Sequence, residues 1–391
     1  VHRDDKELTA PADSSCGMTA RRLPSQPSPA PAPSRPPSSQ EIAAWIEAHR
    51  VELIETTLAL VRHVTVSPFE SSLHSPLREA LSRAGCSTWL QPLHPGVSIH
   101  PRRSRLGVTS GTDRSNLRAR LDAGRPELPT ILFSAHLDTV PAGAEFPGAF
   151  EGRVSGGAIV GRGAADTKGN IAALLMALRF LAARRVPRTC HVELDFVIEE
   201  EIGGNGALST ALHGLRADGC VVLEPTDLEV FRGHRGCLGF RASWEGTATH
   251  MGAAGSVNPI APAAAFVTAL GELEARWADD ARQDPDYAGW ARPVQLNVGR
   301  IEGGSWHGTR PDRCTVLGNL GFLPQLGLEG AARAAEALVA RAGSGTIAFD
   351  AIHNDAYVEE ADLPFVVGAA EILGHQRHTR AWNVSCDART Y

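Results

Sequence analysis

The stretch "TILFSAHLDTVPAG", residues 130–143, decides the fold. It opens as an apolar run of strand length and ends with His136 and Asp138 two residues apart, just before a Pro-Ala-Gly turn. Residues two apart on a strand project to the same side, so an imidazole and a carboxylate share one face. That pattern fits either a site of chemistry or an ordinary polar strand end.

Outward from this strand the chain alternates in the way that predicts an α/β fold with a mostly parallel sheet. "GNIAALLMALRFLAARR" reads as an apolar helix, "CHVELDFVIEEE" as a second strand, "GNGALSTALHGL" as a helix and "ADGCVVLEP" as a third strand. From about Phe231 the order changes to strand, helix, two strands, helix and strand. This β-α-β-β-α-β order is the split, ferredoxin-like pattern. The expected division is therefore a Pro/Ser/Ala-rich tail over 1–40, a first part of the main domain over 41–230, an inserted small domain over 231–352, and a return to the main domain over 353–391. The tail segment "TARRLPSQPSPAPAPSRPPSSQ" is too poor in apolar residues to bury a core. In "SSQEIAAWIEAHRVELIETTLALVRH", Ser39 is the expected cap of a first long helix.

Composition removes several classes of function. With 43% hydrophobic and 21% charged residues the chain has globular values, and its net charge of -6 is spread without a basic stripe, which argues against nucleic acid as partner. Seven scattered cysteines, with no Cys-x-x-Cys, fit reduced thiols and a cytoplasmic setting better than a disulfide framework. No apolar run approaches the ~18–20 residues of a membrane span, and the first ten residues lack the apolar core of a signal peptide. No glycine-rich phosphate cradle follows a strand, and "GRGAADTKGN" carries an aspartate where bound phosphate would be repelled.

Four polar sites fall at or just after expected strand ends, where open α/β sheets bind ligands. They are His136 with Asp138, Asp166 in "GRGAADTKGN", the run Glu199-Glu200-Glu201 in "VIEEEIGG", and Glu224 in "VVLEPT". Singly, each has an ordinary reading as a cap, a turn residue or a solvated charge. Together, one imidazole and several carboxylates around one crevice would repel one another unless cations sat among them. Imidazole and carboxylate ligands suit zinc, with cobalt or manganese as alternatives, and two ions ~3.5–4 Å apart can share a bridging carboxylate.

These motifs, with "TATHMGAA", resemble those of the zinc-dependent amidohydrolases and exopeptidases that include acetylornithine deacetylase, succinyl-diaminopimelate desuccinylase, aminoacylase and glutamate carboxypeptidase. The resemblance runs over about residues 41–391. It implies two divalent ions, zinc or cobalt, with His136 and Glu224 as terminal ligands of one, Asp166 as the bridge and Glu201 as a ligand of the other. It implies Asp138 as the carboxylate orienting His136, Glu200 as general base, and His250 as an oxyanion donor reaching into the partner's site of a homodimer. The glutamate run is ambiguous by one residue, and "EEIGG" favours Glu200 and Glu201 as the family's pair. The implied reaction is hydrolysis of the amide bond of a small N-acyl amino acid or similar compound. "GGSWHGTRPDRC" resembles a subgroup that includes aminopyrimidine deformylases, and its Arg310 is a candidate for a substrate carboxylate. The family's late histidine ligand has no counterpart after "CDARTY", and His353, His375 and His378 stand in the wrong context. The expectation is a truncated chain or a variant with one intact metal site, and a silent dimeric binding protein is the competing class.

Overall fold

The computed structural model describes residues 35–107, 114–255, 257–374 and 379–391, so most of the expected tail lies outside them, as do His375 and His378. The first helix, Ser39–Ala48, begins inside the stretch assigned to the tail. Its cap is Ser38 rather than Ser39: the Ser38 hydroxyl accepts from the Glu41 amide while the Glu41 carboxylate accepts from the Ser38 amide. The expected long helix is broken at His49, and a second helix runs Arg50–Val61.

The α/β expectation holds, with one correction to the sheet. Five strands lie in the order Ser87–Pro92, Ser115–Leu121, His191–Val197, Thr130–His136 and Gly219–Val222. The first two pairings are antiparallel and the last two parallel, so the sheet is mixed rather than mostly parallel. The two strands that reverse it, Ser87–Pro92 and Ser115–Leu121, come from a segment to which the motif pattern assigned no strand. The parallel trio is what matters for chemistry. Because Thr130–His136, His191–Val197 and Gly219–Val222 run the same way, their carboxyl ends emerge together. The register sets His136 opposite Val197 and Ser134 opposite Val222.

Parallel neighbours need a crossover, and the helix Gly169–Ala183 provides one between Thr130–His136 and His191–Val197. It buries Ile171, Leu174, Leu175 and Leu178, the helical spacing of a core-facing stripe. They pack with Leu117, Leu194 and Phe196 of the sheet, with Leu77 and Leu81 of the helix His74–Arg83, and with Leu73 just ahead of it.

The β-α-β-β-α-β segment forms a second sheet in the order Leu296–Gly303, Arg313–Phe322, Gly236–Glu245 and Gly345–Ala348, antiparallel throughout, which is the ferredoxin-like order. His353–Asn354 adds a short pairing to Gly236–Glu245. Leu238, Phe240, Ala242 and Trp244 alternate along the central strand, so one face carries all four into a core shared with Phe266 and Leu338 of the two helices. The strand Phe231–His234, at the expected start of the insertion, pairs instead with Tyr357–Val358 and in parallel with Arg380–Trp382. No helix among the described residues is long and apolar enough to cross a membrane.

Leu194 is fully buried between the helix stripe and the sheet. Leu194→Ala is expected to cost about 2–5 kcal/mol, read as a lower urea midpoint at an unchanged slope. A change under about 0.5 kcal/mol would show that this position does not belong to the core that fixes the sheet.

Candidate metal centre

Two of the parallel strand ends and the turn ahead of the helix Gly169–Ala183 bring His136, Glu224 and Asp166 together. One ligand atom from each lies within 4.8 Å of the others, and this is the one such group among the described residues. His136 terminates its strand and is buried. Its Nδ1 lies 3.0 Å from the carbonyl oxygen of Asp138. A carbonyl can only accept, so Nδ1 carries the proton and donates, which leaves Nε2 facing the cluster. Nε2 is 2.7 Å from Asp166 Oδ1 and 4.0 Å from Glu224 Oε2.

Asp166 comes from the turn ahead of the helix Gly169–Ala183 and is about half exposed on its side chain. The Thr167 hydroxyl, one residue on, donates to the Leu223 carbonyl at 2.7 Å and so ties this turn to the segment that carries Glu224. Asp138 is buried beneath the cluster. Its two carboxylate oxygens accept from consecutive amides, Glu200 N–H at 3.1 Å and Glu201 N–H at 3.0 Å. One residue thus orients the imidazole through its carbonyl and the glutamate pair through its side chain.

The ambiguity in the glutamate run has a geometric answer. Glu199 turns away, fully buried, and accepts from Arg114 Nη2 at 2.5 Å and Asn205 Nδ2 at 2.8 Å. Glu200 and Glu201 are left for the crevice. Gly203 and Gly204 then take φ of 119° and 78°, values that L side chains rarely adopt, and the Gly204 amide closes back onto the Glu199 carbonyl at 2.7 Å.

The electrostatics show what is missing from the side chains alone. Burial pushes Glu201 up to about 7, helped by the Asp166 charge. Burial pushes Glu224 up to about 8, opposed by His136 and helped by Asp166 and Asp387. Glu200 is raised well above the usual carboxylate range by burial and by the charges of Glu224 and Asp387. Burial would depress His136, but Asp138, Asp166 and Glu224 outweigh it and raise the imidazole well above its ordinary value. The fold therefore gathers carboxyls of raised proton affinity around an imidazole whose proton affinity is raised as well. The donor set, one imidazole nitrogen and carboxylate oxygens, fits a divalent ion of the zinc or cobalt kind.

Two participants went unrecognised in the sequence. Asp387 is buried, has neither carboxylate oxygen hydrogen-bonded, and is pushed up to about 6 by burial against the opposing charge of Arg389. Its signal was the Asp-Ala-Arg triplet in "CDARTY". Lys168 is fully buried with Nζ donating to the His63 carbonyl at 2.7 Å, and burial lowers it to about 8 against the pull of Asp138. A buried lysine two residues after Asp166 is hidden in sequence because its partner is a backbone atom far along the chain. His250 and Arg310 belong to another element, a two-stranded ribbon in which Thr249 pairs with Arg310 and His250 with Thr309. His250 is exposed there and its Nδ1 accepts from the Gly252 amide at 3.2 Å. The structure thus collects His136, Asp138, Asp166, Glu200, Glu201 and Glu224 and places His250 and Arg310 on the separate ribbon, on opposite strands and not as a directly opposed pair.

Comparison with known proteins gives a family match and a fold match. Residues 132–389 match the family model described as Peptidase family M20/M25/M40. The chain is 31% identical over 261 residues to a probable carboxypeptidase of Aspergillus terreus, covering 62% of this chain and 57% of that protein. It is 33% identical over 239 residues to a succinyl-diaminopimelate desuccinylase of Rhodopseudomonas palustris, covering 56% of this chain and 57% of that one. The chain thus spans little more than half the length of these curated relatives. Among solved structures, the di-peptidase Dug1p of Saccharomyces cerevisiae superposes with a TM-score of 0.64 at 16% identity, covering 88% of this chain and 86% of that one. A Bacillus subtilis protein described as a dinuclear metal-binding peptidase of the M20 family superposes with a TM-score of 0.54 at 18% identity, covering 87% of this chain and 85% of that one. At those identities the likeness is one of fold.

The raised carboxyls give the site a pH signature. A cation held by Glu201 and Glu224 would displace their protons, bound at about 7 and about 8, so apparent affinity for a divalent ion is expected to rise as pH rises through that range. Isothermal titration in buffers of different ionisation enthalpy reads both the affinity and the protons released. Affinity that is flat from about pH 6 to pH 9, with no proton release, would show that these carboxyls do not meet the ion.

Proposed function

The chain belongs to peptidase family M20/M25/M40, and from that premise we propose that it is a metal-dependent hydrolase that cleaves the amide bond of a small N-acyl amino acid or short peptide. The observation that carries the reading is the meeting of His136, Asp166 and Glu224 within 4.8 Å beside two raised glutamates. The relatives named desuccinylase and carboxypeptidase support the class of bond more than any one acyl group.

In this reading His136 and Glu224 would hold one divalent ion and Glu201 a second, with Asp166 serving both. Bound divalent ions supply Lewis acidity toward the amide carbonyl and neutralise the crowded carboxylates. Glu200 acts on the proton. Its burial against Glu224 and Asp387 gives it a high proton affinity for a carboxylate, which suits a group that takes a proton from the attacking water and returns it to the leaving nitrogen. The water oxygen bonds to the carbonyl carbon, the carbon–nitrogen bond breaks, and the products are a carboxylic acid and an amine. Asp138 holds His136 in the tautomer that presents Nε2 and fixes where both glutamates start.

The reading extends to assembly. The strand Leu296–Gly303 lies at the edge of the second sheet with most of its residues exposed. Pairing with its twin across a two-fold axis makes a homodimer, in which His250 serves the other copy's site as an oxyanion donor and Arg310 receives a substrate carboxylate. The scattered cysteines, with no Cys-x-x-Cys, support a cytoplasmic setting.

Three variants test the assignment of roles on the purified chain loaded with zinc or cobalt. Asp166→Asn is expected to lose most bound metal by elemental analysis, since one carboxylate serves both ions. Glu200→Ala is expected to keep its metal and lose at least ~10²- to 10⁴-fold in turnover on N-acetyl and N-succinyl amino acids and dipeptides. Glu201→Ala is expected to lose metal. Metal lost from Glu200→Ala and kept by Glu201→Ala would reverse the pair, and unchanged metal in Asp166→Asn would remove the bridge.

A further inference from the structure

Behind the glutamate pair stands a buried ion triad that no step of the proposed reaction uses. Arg114 lies between two fully buried carboxylates, Glu70 and Glu199. Its Nη1 donates to Glu70 and, at 2.9 Å, to the Pro68 carbonyl, while Nη2 reaches Glu70 Oε1 at 3.1 Å and Glu199 Oε1 at 2.5 Å. Burial alone would depress Arg114, but the hydrogen bonds and charges of Glu70 and Glu199 hold it above its ordinary value. Such an assembly is costly to desolvate, and replacing it with apolar residues is often neutral or better for stability. Stability alone therefore does not account for it.

Geometry offers the account. Glu199 has φ of +64°, a left-handed conformation that a long L side chain adopts only where its surroundings hold it. The holding contacts are Arg114 and Asn205 on its carboxylate and the Gly204 amide on its carbonyl. Space is fitted to them as well, since a Cβ at Gly107 would overlap the Glu199 carboxylate. The turn at Glu199 is what aims the next two amides, those of Glu200 and Glu201, at the two oxygens of Asp138. Through that carboxylate the same turn reaches the residue whose carbonyl receives His136 Nδ1.

We propose that Arg114 and Glu199 are positioning residues: their buried ion pair holds the left-handed turn that presents Glu200 and Glu201 to the metal centre. This rests on the metal-centre reading above. It requires that loosening the pair changes how the ion is held, and not only how stable the fold is.

Cobalt(II) reports this directly, because its visible absorption follows ligand geometry. The full chain, Glu199→Gln, Arg114→Lys and a control, Glu193→Gln, are titrated with cobalt(II) alone, with circular dichroism and thermal midpoints recorded beside each titration. Glu193 makes its ion pairs with Arg118 and Arg120 on the sheet, outside the centre. Glu199→Gln and Arg114→Lys are expected to bind cobalt about 10- to 100-fold more weakly, the usual cost of losing a partner behind the ligands, with a displaced spectrum. Glu199→Asp, which keeps the charge, is expected to recover part of both. Glu193→Gln is expected to change the midpoint and leave affinity and spectrum as they were. Should Glu199→Gln and Arg114→Lys fail to fold, Glu70→Gln, which slackens Arg114 from its far side, carries the same expectation. Folded variants with unaltered affinity and spectrum would overturn the positioning role while leaving the metal reading intact. A parent chain that takes up no cobalt would overturn the metal reading, and this inference with it.

Discussion

Everything at the carboxyl edge of the first sheet answers to one electrostatic constraint, an excess of buried acid without enough positive charge to balance it. Glu200, Glu201, Glu224 and Asp387 are each pushed up by burial and by neighbouring carboxylates. The basic groups at hand are already occupied. Lys168 donates to a backbone carbonyl, Arg389 donates to the Cys386 and Gly203 carbonyls beside its ion pair with Asp387, and Arg114 is divided between Glu70 and Glu199. A crevice of this kind is tolerable with protons on its carboxyls or with cations between them. The first state is inert as a metal site and the second is the one the donor geometry fits.

The backbone makes that crowding possible. Three parallel strands end together, and each contributes its polar residues within a few positions of its last ladder pairing: His136 and Asp138, then Glu199 to Glu201, then Glu224. Parallel order has to come from distant sequence, so the site is assembled by the topology and not by any local motif. Asp138 is the joint. Its carbonyl fixes an imidazole from its own strand end and its carboxylate fixes two amides from the neighbouring one, so a shift of either strand would be felt by both ligand groups.

This explains what the sequence made legible. Strand, helix and βαββαβ order could be read because each rests on local periodicity, and the donors could be read because each stands just beyond an apolar run. The mixed character of the sheet could not, since Ser115–Leu121 carries Arg118 and Arg120 into ion pairs with Glu193 and reads as a polar segment. The triad was hidden for a related reason. Glu70, Arg114 and Glu199 are far apart in the chain, and a glutamate before two others looks like one more solvated charge. Only the left-handed φ of Glu199 and its full burial separate it from its neighbours. Asp387 and Lys168 are the same case, acidic and basic residues whose partners are set by folding.

On the proposed reading, a site built this way ties the fold to its ion. In the metal-free chain the raised pKa values of the carboxyls and of His136 all have the same sign: the folded state binds protons that the unfolded chain releases. Their contribution to stability is therefore present at low pH and is lost as pH rises toward neutrality and above. An ion that binds the folded centre and not the unfolded chain acts in the opposite direction, stabilising the fold by an amount that grows with its concentration over its Kd. Protons and cations thus compete for one set of side chains, and the ion gains the advantage as pH rises, where those side chains cost the bare fold most. On the proposed reading, the groups that would hold the ion are the same ones that leave the bare fold electrostatically strained, and the proposed role of the buried triad, like that of Asp138, is to hold them in place against their mutual repulsion.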